Sequence, residues 1–336
     1  MSRATKPEPL KANFRELNEA FYAERPWNYF LQRLVHLAAV ASDTSTSPFR
    51  DPITVGPVTL ESRSPADSEY PSPGQSFVAV ESEVLLHHAS ETLLRLIHAH
   101  AEPSPCPWLR MSAVRGFAEF KAWVKALRDD PELEQVAVRL FGRSNEHPDA
   151  PADEAAWVRL FAQHFLDASS YNAAKHGMAL AGGAARGTVA IEDQEIVRAE
   201  GPIVSWLAKW PNPGEERPPR WTRGTRIFSV EAYIVMIRAA TGLMESIWVH
   251  GRSIHLETVE DAVGYATYGS PRQVFSALGL PAHILYETYM PLAYAGEPAD
   301  LIVQFPVPPT APDESEPPDG ESLASNDGST GESAAN

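Results

Sequence analysis

Cysteine is nearly missing from this chain: among 336 residues, Cys106 alone carries a thiol. That excludes an intrachain disulfide framework and any multi-cysteine zinc site, and it points to a reducing compartment, so the expected location is cytoplasmic. Basic runs are missing as well. The formal net charge is −16, and removing the seven acids between Val307 and Asn336, where no base occurs, still leaves about −9 for the body. An acidic chain without a basic run excludes a broad electrostatic grip on duplex nucleic acid and leaves open only a small local RNA site. Long apolar runs are absent too. No window reaches the ~18 consecutive apolar residues of a membrane span, and MSRATKPEPLKANFREL lacks the apolar core of a signal peptide. The chain is expected to be neither exported nor membrane-embedded.

Catalytic and cofactor signatures are equally scarce. No GxSxG elbow occurs, and Cys106 sits between Pro105 and Pro107 without a basic neighbour to activate it. The glycine-rich stretch Gly182-Gly183-Ala184-Ala185-Arg186-Gly187-Thr188 has neither P-loop nor dinucleotide-binding order. His87-His88 and His98-x-His100 have no HExxH, CxxC or convergent carboxylate set beside them. Neither a metal nor a cofactor is expected.

What is present is a hydrophobic content of 43%, enough to bury a sizeable core. The segment from Val307 onward is rich in Pro, Ser, Gly and acids and cannot offset its ordering entropy, so 306–336 is expected to be a disordered acidic tail, solubilising or partner-binding. A Ser- and Pro-rich loop at 62–76 divides N-terminal helices and an extended segment (1–61) from a helical domain over 77–305.

Helical periodicity dominates. Phe14, Leu17 and Phe21 share one stripe; Trp27, Phe30, Leu31, Leu34, Val35 and Ala38 form another after Pro26, which suits a first turn. Between Phe77 and Ala101, Leu86, Ala89, Leu93 and Ile97 recur at helical spacing, with Glu81, His88, Glu91 and Arg95 on a separate polar line. Phe117, Phe120, Val124 and Leu127 predict a helix over 115–128, and Asp130-Pro131 opens another through Leu133, Val136, Leu140 and Phe141. A further helix is predicted from near Asp153 to a stop at Gly182-Gly183. Beyond it, 188–191, 196–199, 203–210 and 225–228 read as extended, giving a small antiparallel β insertion at about 186–228. Ser229 caps a long amphipathic helix bearing Tyr233, Ile237, Met244 and Trp248. Residues 257–305 read as short helices and loops around Pro271, Pro281 and Pro291, ending on the apolar Leu301-Ile302-Val303. The expected fold class is mainly α, a helical bundle with that β insertion and tail.

The chemistry concentrates in Tyr171-Asn172-Ala173-Ala174-Lys175-His176-Gly177, which puts an amide, an ammonium and an imidazole on about one and a half helical turns. Phe161, Phe165, Ala168, Asn172 and His176 fall on one predicted face, where buried polar groups would need partners. Tyr171 and Lys175 make a second i,i+4 pair. Such a cluster either locks a helix junction or lines a pocket. Arg159-x4-His164 offers a looser Arg–His pair, and Trp206, Trp210 and Trp221 with Arg220, Arg223 and Arg226 could clamp single-stranded nucleic acid or pack a sheet.

Tyr171-Asn172-Ala173-Ala174-Lys175-His176 resembles the Arg-polar-x(3–5)-His motif of HEPN domains, small helical modules that include metal-independent ribonucleases and non-catalytic relatives. Tyr171 stands where that motif has arginine. The helix from Phe77 to Ala101, with Glu81 and Glu91, is similar to the family's acidic partner helix, and the resemblance spans residues 77–255 around the β insertion. It implies His176 as acid/base and Asn172 as the orienting amide, with Lys175 the nearest substitute for the lost phosphate clamp. A lysine is a point charge without the planar fork of arginine. The resemblance therefore favours a non-catalytic binding or scaffolding module, with a homodimer or a protein partner, over a ribonuclease using Asn172, Lys175 and His176. Tyr171, Arg159 and His164 are the accompanying ligand-binding candidates.

Overall fold

The computed structural model describes residues 14–42, 53–55, 58–60, 73–114, 116–142, 148–175, 180–191, 194–210, 220–257, 269–280 and 286–291. All of them fall within a compact unit, Met1–Leu292; the second unit, Ala293–Asn336, contains no described residue. The expected acidic tail, the apolar segment 301–303 and most of the loop at 62–76 therefore lie outside the described residues, as does His176.

In chain order the elements are α1 (Phe14–Ala23), α2 (Trp27–Ser42), β1 (Ile53–Val55), β2 (Val58–Leu60), α3 (Pro73–His100), α4 (Pro107–Ser112), α5 (Phe117–Asp129) and α6 (Leu133–Phe141). There follow α7 (Ala150–Leu166), α8 (Ser169–Lys175), β3 (Leu180–Ile191), β4 (Gln194–Trp210), β5 (Arg220–Ile227), α9 (Val230–Leu256), α10 (Pro271–Ala277) and β6 (Tyr286–Pro291). The fold is mainly α with a small antiparallel sheet, as the periodicities predict.

Helix α3 forms the axis. Val78, Leu85, Leu93, Leu94 and Ile97 point to different sides of it, yet none is more than 2% exposed, the pattern of a helix surrounded by protein. Its most extensive helical partner is α9. There Ile237, Ala240, Met244 and Ile247 are fully buried, and the Ser229 hydroxyl accepts the Ala232 N–H at 3.1 Å, making the predicted cap. By length and composition α9 could cross a membrane, but 67% of its most apolar window is buried inside the protein, which suits a core helix. The stripe on α2 runs through Trp27, Phe30, Leu34, Leu37 and Val40, so Val35, predicted to face inward, is 70% exposed.

Strands β3, β4, β5 and β6 pair in that order, all antiparallel, while β1 and β2 form a separate hairpin. At one end of the β3–β4 pair Ile191 is paired with Gln194. Strand β6 falls where the sequence reads as loop; Pro291 at its end is tolerated because, among the described residues, β6 pairs with β5 alone and sits at the sheet edge.

The single helix predicted from Asp153 to Gly182 is instead two helices and the start of a strand. Helix α7 opens at Ala150 with Pro151 in its first turn and ends at Leu166, and Asp167 leaves helical geometry at φ −86°, ψ 44°. Asp and Ser are weak formers of a helix interior, and three of them fall together at Asp167, Ser169 and Ser170, where the helix breaks. Gly182 lies within β3 rather than at a helix stop. A Cβ there would come within 2.8 Å of the Ser76 carbonyl oxygen and 2.9 Å of Val80 Cγ2, so the missing side chain lets α3 lie against the strand.

Candidate functional site

The break at Asp167 redirects the predicted motif. Ala173 faces the core, whereas Asn172 and Lys175 are exposed, so the amide expected on the buried stripe points to solvent instead. Tyr171 turns the other way. Its ring stacks on His87 at 3.7 Å between centroids, and its hydroxyl lies 2.8 Å from Nε2 of His88. Arg159 and His164 are also kept apart. Arg159 donates to the Asp130 carbonyl at 3.1 Å, satisfying the end of α5, whereas the His164 ring meets Tyr233 and His87 inside the fold.

Where α3, α8, β5 and α9 converge, they enclose a charged network. The Arg226 guanidinium donates to Glu83 Oε1 at 2.7 Å and to Ser170 Oγ at 3.1 Å. Ser170 in turn donates to the same carboxylate, and the Tyr233 hydroxyl donates to Glu83 Oε2 at 3.1 Å. Trp206 lies beneath Arg226, its ring centroid 5.5 Å from the guanidinium carbon. Glu83 and Arg226 are each 1% exposed, so the pair is closed to solvent. Two imidazoles border the network. Burial pushes His87 down to about 3, aided by His164, and burial with the Arg226 charge pushes His164 down to about 3. Both are neutral at physiological pH. Each has a buried Nε2 without a hydrogen-bond partner among the described residues.

Of the tryptophan–arginine concentration, Trp206 and Arg226 are likewise inward. Trp206 is 3% exposed and packs with Arg226, while Arg223, which is exposed, reaches Ser205 Oγ at 3.4 Å. The side chains of Trp210, Trp221 and Arg220 lie outside the described residues. No group of three potential metal ligands converges among the described residues.

An open cleft of about 450 Å³ lies elsewhere, where the ends of α3, α6 and α9 meet the segment leading to α4. His100, His250 and His255 project into it from two helices, with Arg139 on α6 and Glu102 at its margin. His100 Nδ1 donates to the Leu96 carbonyl at 2.8 Å, which fixes the tautomer and leaves Nε2 to accept the Tyr22 hydroxyl at 2.8 Å. Burial lowers His100 to about 4 and pushes Tyr22 up. His250 and His255 are also lowered by burial; a hydrogen bond from His250 to the Arg139 backbone partly opposes this. Gly251 makes the packing behind the cleft possible, because a Cβ there would come within 2.6 Å of the Tyr22 hydroxyl oxygen and 2.8 Å of His100 Nε2.

Neither site was legible as a unit. Glu83, Ser170, Arg226 and Tyr233 come from four separated elements, and Glu83 lies two residues from the more conspicuous Glu81, which serves Arg33 at 2.6 Å. His100, His250 and His255 mark the cleft only in retrospect, since they come from two distant helices and the i,i+5 spacing of the last two puts them on different faces. No family model matches the chain, and neither the curated proteins nor the solved structures compared with it include a match.

Proposed function

We propose that this chain is a cytoplasmic, non-catalytic HEPN-like module that binds or scaffolds a partner, either a second copy of itself or another protein. The observation that carries this reading is the commitment of Arg226. Its charge acts on His164 of α7 and its guanidinium donates to Ser170 of α8, yet it is buried at 2.7 Å from Glu83, where it cannot clamp a phosphate in solution. Asn172 and Lys175 are exposed, which supports a reading in which these two side chains meet a partner at the surface rather than act in an enclosed reaction site.

The rival reading, a metal-independent endoribonuclease built on Asn172, Lys175 and His176, is tested directly. The protein and its His176→Ala variant are incubated with mixed single-stranded and structured RNA in EDTA, and cleavage is followed with time. Neither is expected to cleave. Cleavage by the parent and not by the variant would overturn the binding reading.

A further inference from the structure

The cleft between α3, α6 and α9 has the composition of a small-molecule site: a mainly apolar wall with a few polar groups not spent on the fold. Ala99, Leu140 and Ile254 supply apolar surface, and Ile254 is 58% exposed at the end of α9. The polar groups divide sharply by what they have left to offer. His100 has both ring nitrogens committed, to Leu96 and Tyr22, and presents only its ring. Ser104 bridges the backbone of Cys106, and Glu102 is tied to Arg110 at 2.6 Å. His250 has one nitrogen engaged with the Arg139 backbone. That leaves the second nitrogen of His250, both nitrogens of His255, and the exposed Arg139 guanidinium, which has no side-chain partner among the described residues.

We propose that this cleft binds a flat aromatic monocarboxylate, with the ring seated among the apolar wall and the imidazole faces and the carboxylate paired to Arg139. A planar ligand is suited to this wall, where His100 and His255 pack edge to face on each other at 6.2 Å and 66° and present ring surface beside the apolar residues. A single negative charge follows from the lining: among the described residues Arg139 is the one cation that lines the cleft, while the Glu102 carboxylate is already neutralised by Arg110. Guanidinium geometry matches a carboxylate through two parallel hydrogen bonds. A ring N–H or hydroxyl on the ligand would be met by the free nitrogen of His250 or by His255 acting as acceptor.

The volume accommodates one or two fused rings, within the usual range of ligand pockets. The site shares no residue with the motif on α8, so it goes beyond the binding reading above and the two stand or fall separately.

The test is calorimetric titration of the full chain with benzoate, indole-3-acetate and 2-naphthoate, set against indole and tryptamine, with the histidine ring signals followed by NMR in parallel. The carboxylates are expected to bind with submillimolar Kd, the two-ring acids more tightly than benzoate, and to move the His250 and His255 signals. Arg139→Gln should weaken them about tenfold or more, and Ile254→Trp, at an exposed position where folding is not at stake, should obstruct the cleft. Three results would each overturn the proposal: no binding by any carboxylate, equal binding of tryptamine, or unchanged affinity in Arg139→Gln.

Discussion

The Arg226 guanidinium on β5 and the Glu83 carboxylate on α3 meet at 2.7 Å with side chains 2% exposed, pinning the sheet to the central helix through a charge pair removed from water. Two ions buried together are costly to desolvate, and removing one leaves the other uncompensated. Arg226→Met should therefore lower the unfolding free energy by about 3–5 kcal/mol. The Glu83→Leu/Arg226→Met double variant should recover part of that loss, since no lone charge remains. Urea unfolding of Arg226→Met, Glu83→Leu and the double variant decides it; a double variant less stable by the sum of both single losses would refute the pairing as the source of the effect.

Three buried histidines give the fold a defined acid limit. His87 and His164 are lowered to about 3 and His100 to about 4, each chiefly by burial. The unfolded chain holds them near the ordinary value of about 6.5. Between these limits the unfolded state binds more protons, so stability is present above about pH 6.5 and lost as pH falls toward the folded values. Each histidine contributes a slope approaching about 1.4 kcal/mol per pH unit. His87→Phe and His87→Gln should each flatten the dependence between about pH 6 and pH 4 by that amount, whatever they do to stability at neutral pH. Unfolding free energies measured across that range, with an unchanged slope in both variants, would rule out His87 as a proton-uptake site.

Glu154 works in the opposite direction. Burial, reinforced by the neighbouring Asp153, raises its carboxyl to about 8, and Oε2 is buried without a partner among the described residues. A folded value above the unfolded one means that its contribution is complete below about pH 4.5 and lost as pH rises through about 8. Glu154→Gln should be close to neutral at acid pH and stabilising by about 2 kcal/mol above pH 8, less than the full shift implies because the side chain keeps some contact with solvent. Thermal melts at acid and alkaline pH check the crossover; equal effects at both would exclude it.

How much of this could be read from the chain depends on which interactions decided each element. The helices α2, α3, α5, α6 and α9 follow apolar repeats, and burial of those repeats is what holds them, so pattern and structure share one cause. The failure at α7 and α8 has a different origin. Phe161, Phe165, Ala168 and Asn172 keep helical spacing through the weak helix formers Asp167, Ser169 and Ser170, and Ser170 is claimed by Glu83, 87 residues upstream, a long-range contact that the apolar spacing conceals. Gly182 and Gly224 were similarly opaque. They sit in strands because α3 approaches one closely and the Trp206 indole occupies the space a Cβ on the other would fill. The candidate site residue most visible in sequence, Tyr171, does reach a polar cluster, while its companions Asn172 and Lys175 point to solvent.

Ser170 and Asn172, two residues apart on α8, separate the structural network from the predicted motif. Ser170 is fully buried, donates to Glu83 and accepts from Arg226, so Ser170→Ala removes a bridge within a charged network and leaves Arg226 one acceptor short. A loss of about 1–3 kcal/mol is expected. Asn172 is exposed and its backbone N–H already bonds the Ala168 carbonyl at 2.8 Å, so Asn172→Ala, and likewise Lys175→Ala, should change stability by no more than about 0.5 kcal/mol. Chemical denaturation of the three variants gives the ordering. A costly Asn172→Ala would mean that the amide anchors a contact on which the fold depends, whereas a silent Ser170→Ala would show that Glu83 and Arg226 hold the junction of α3, β5 and α9 without it.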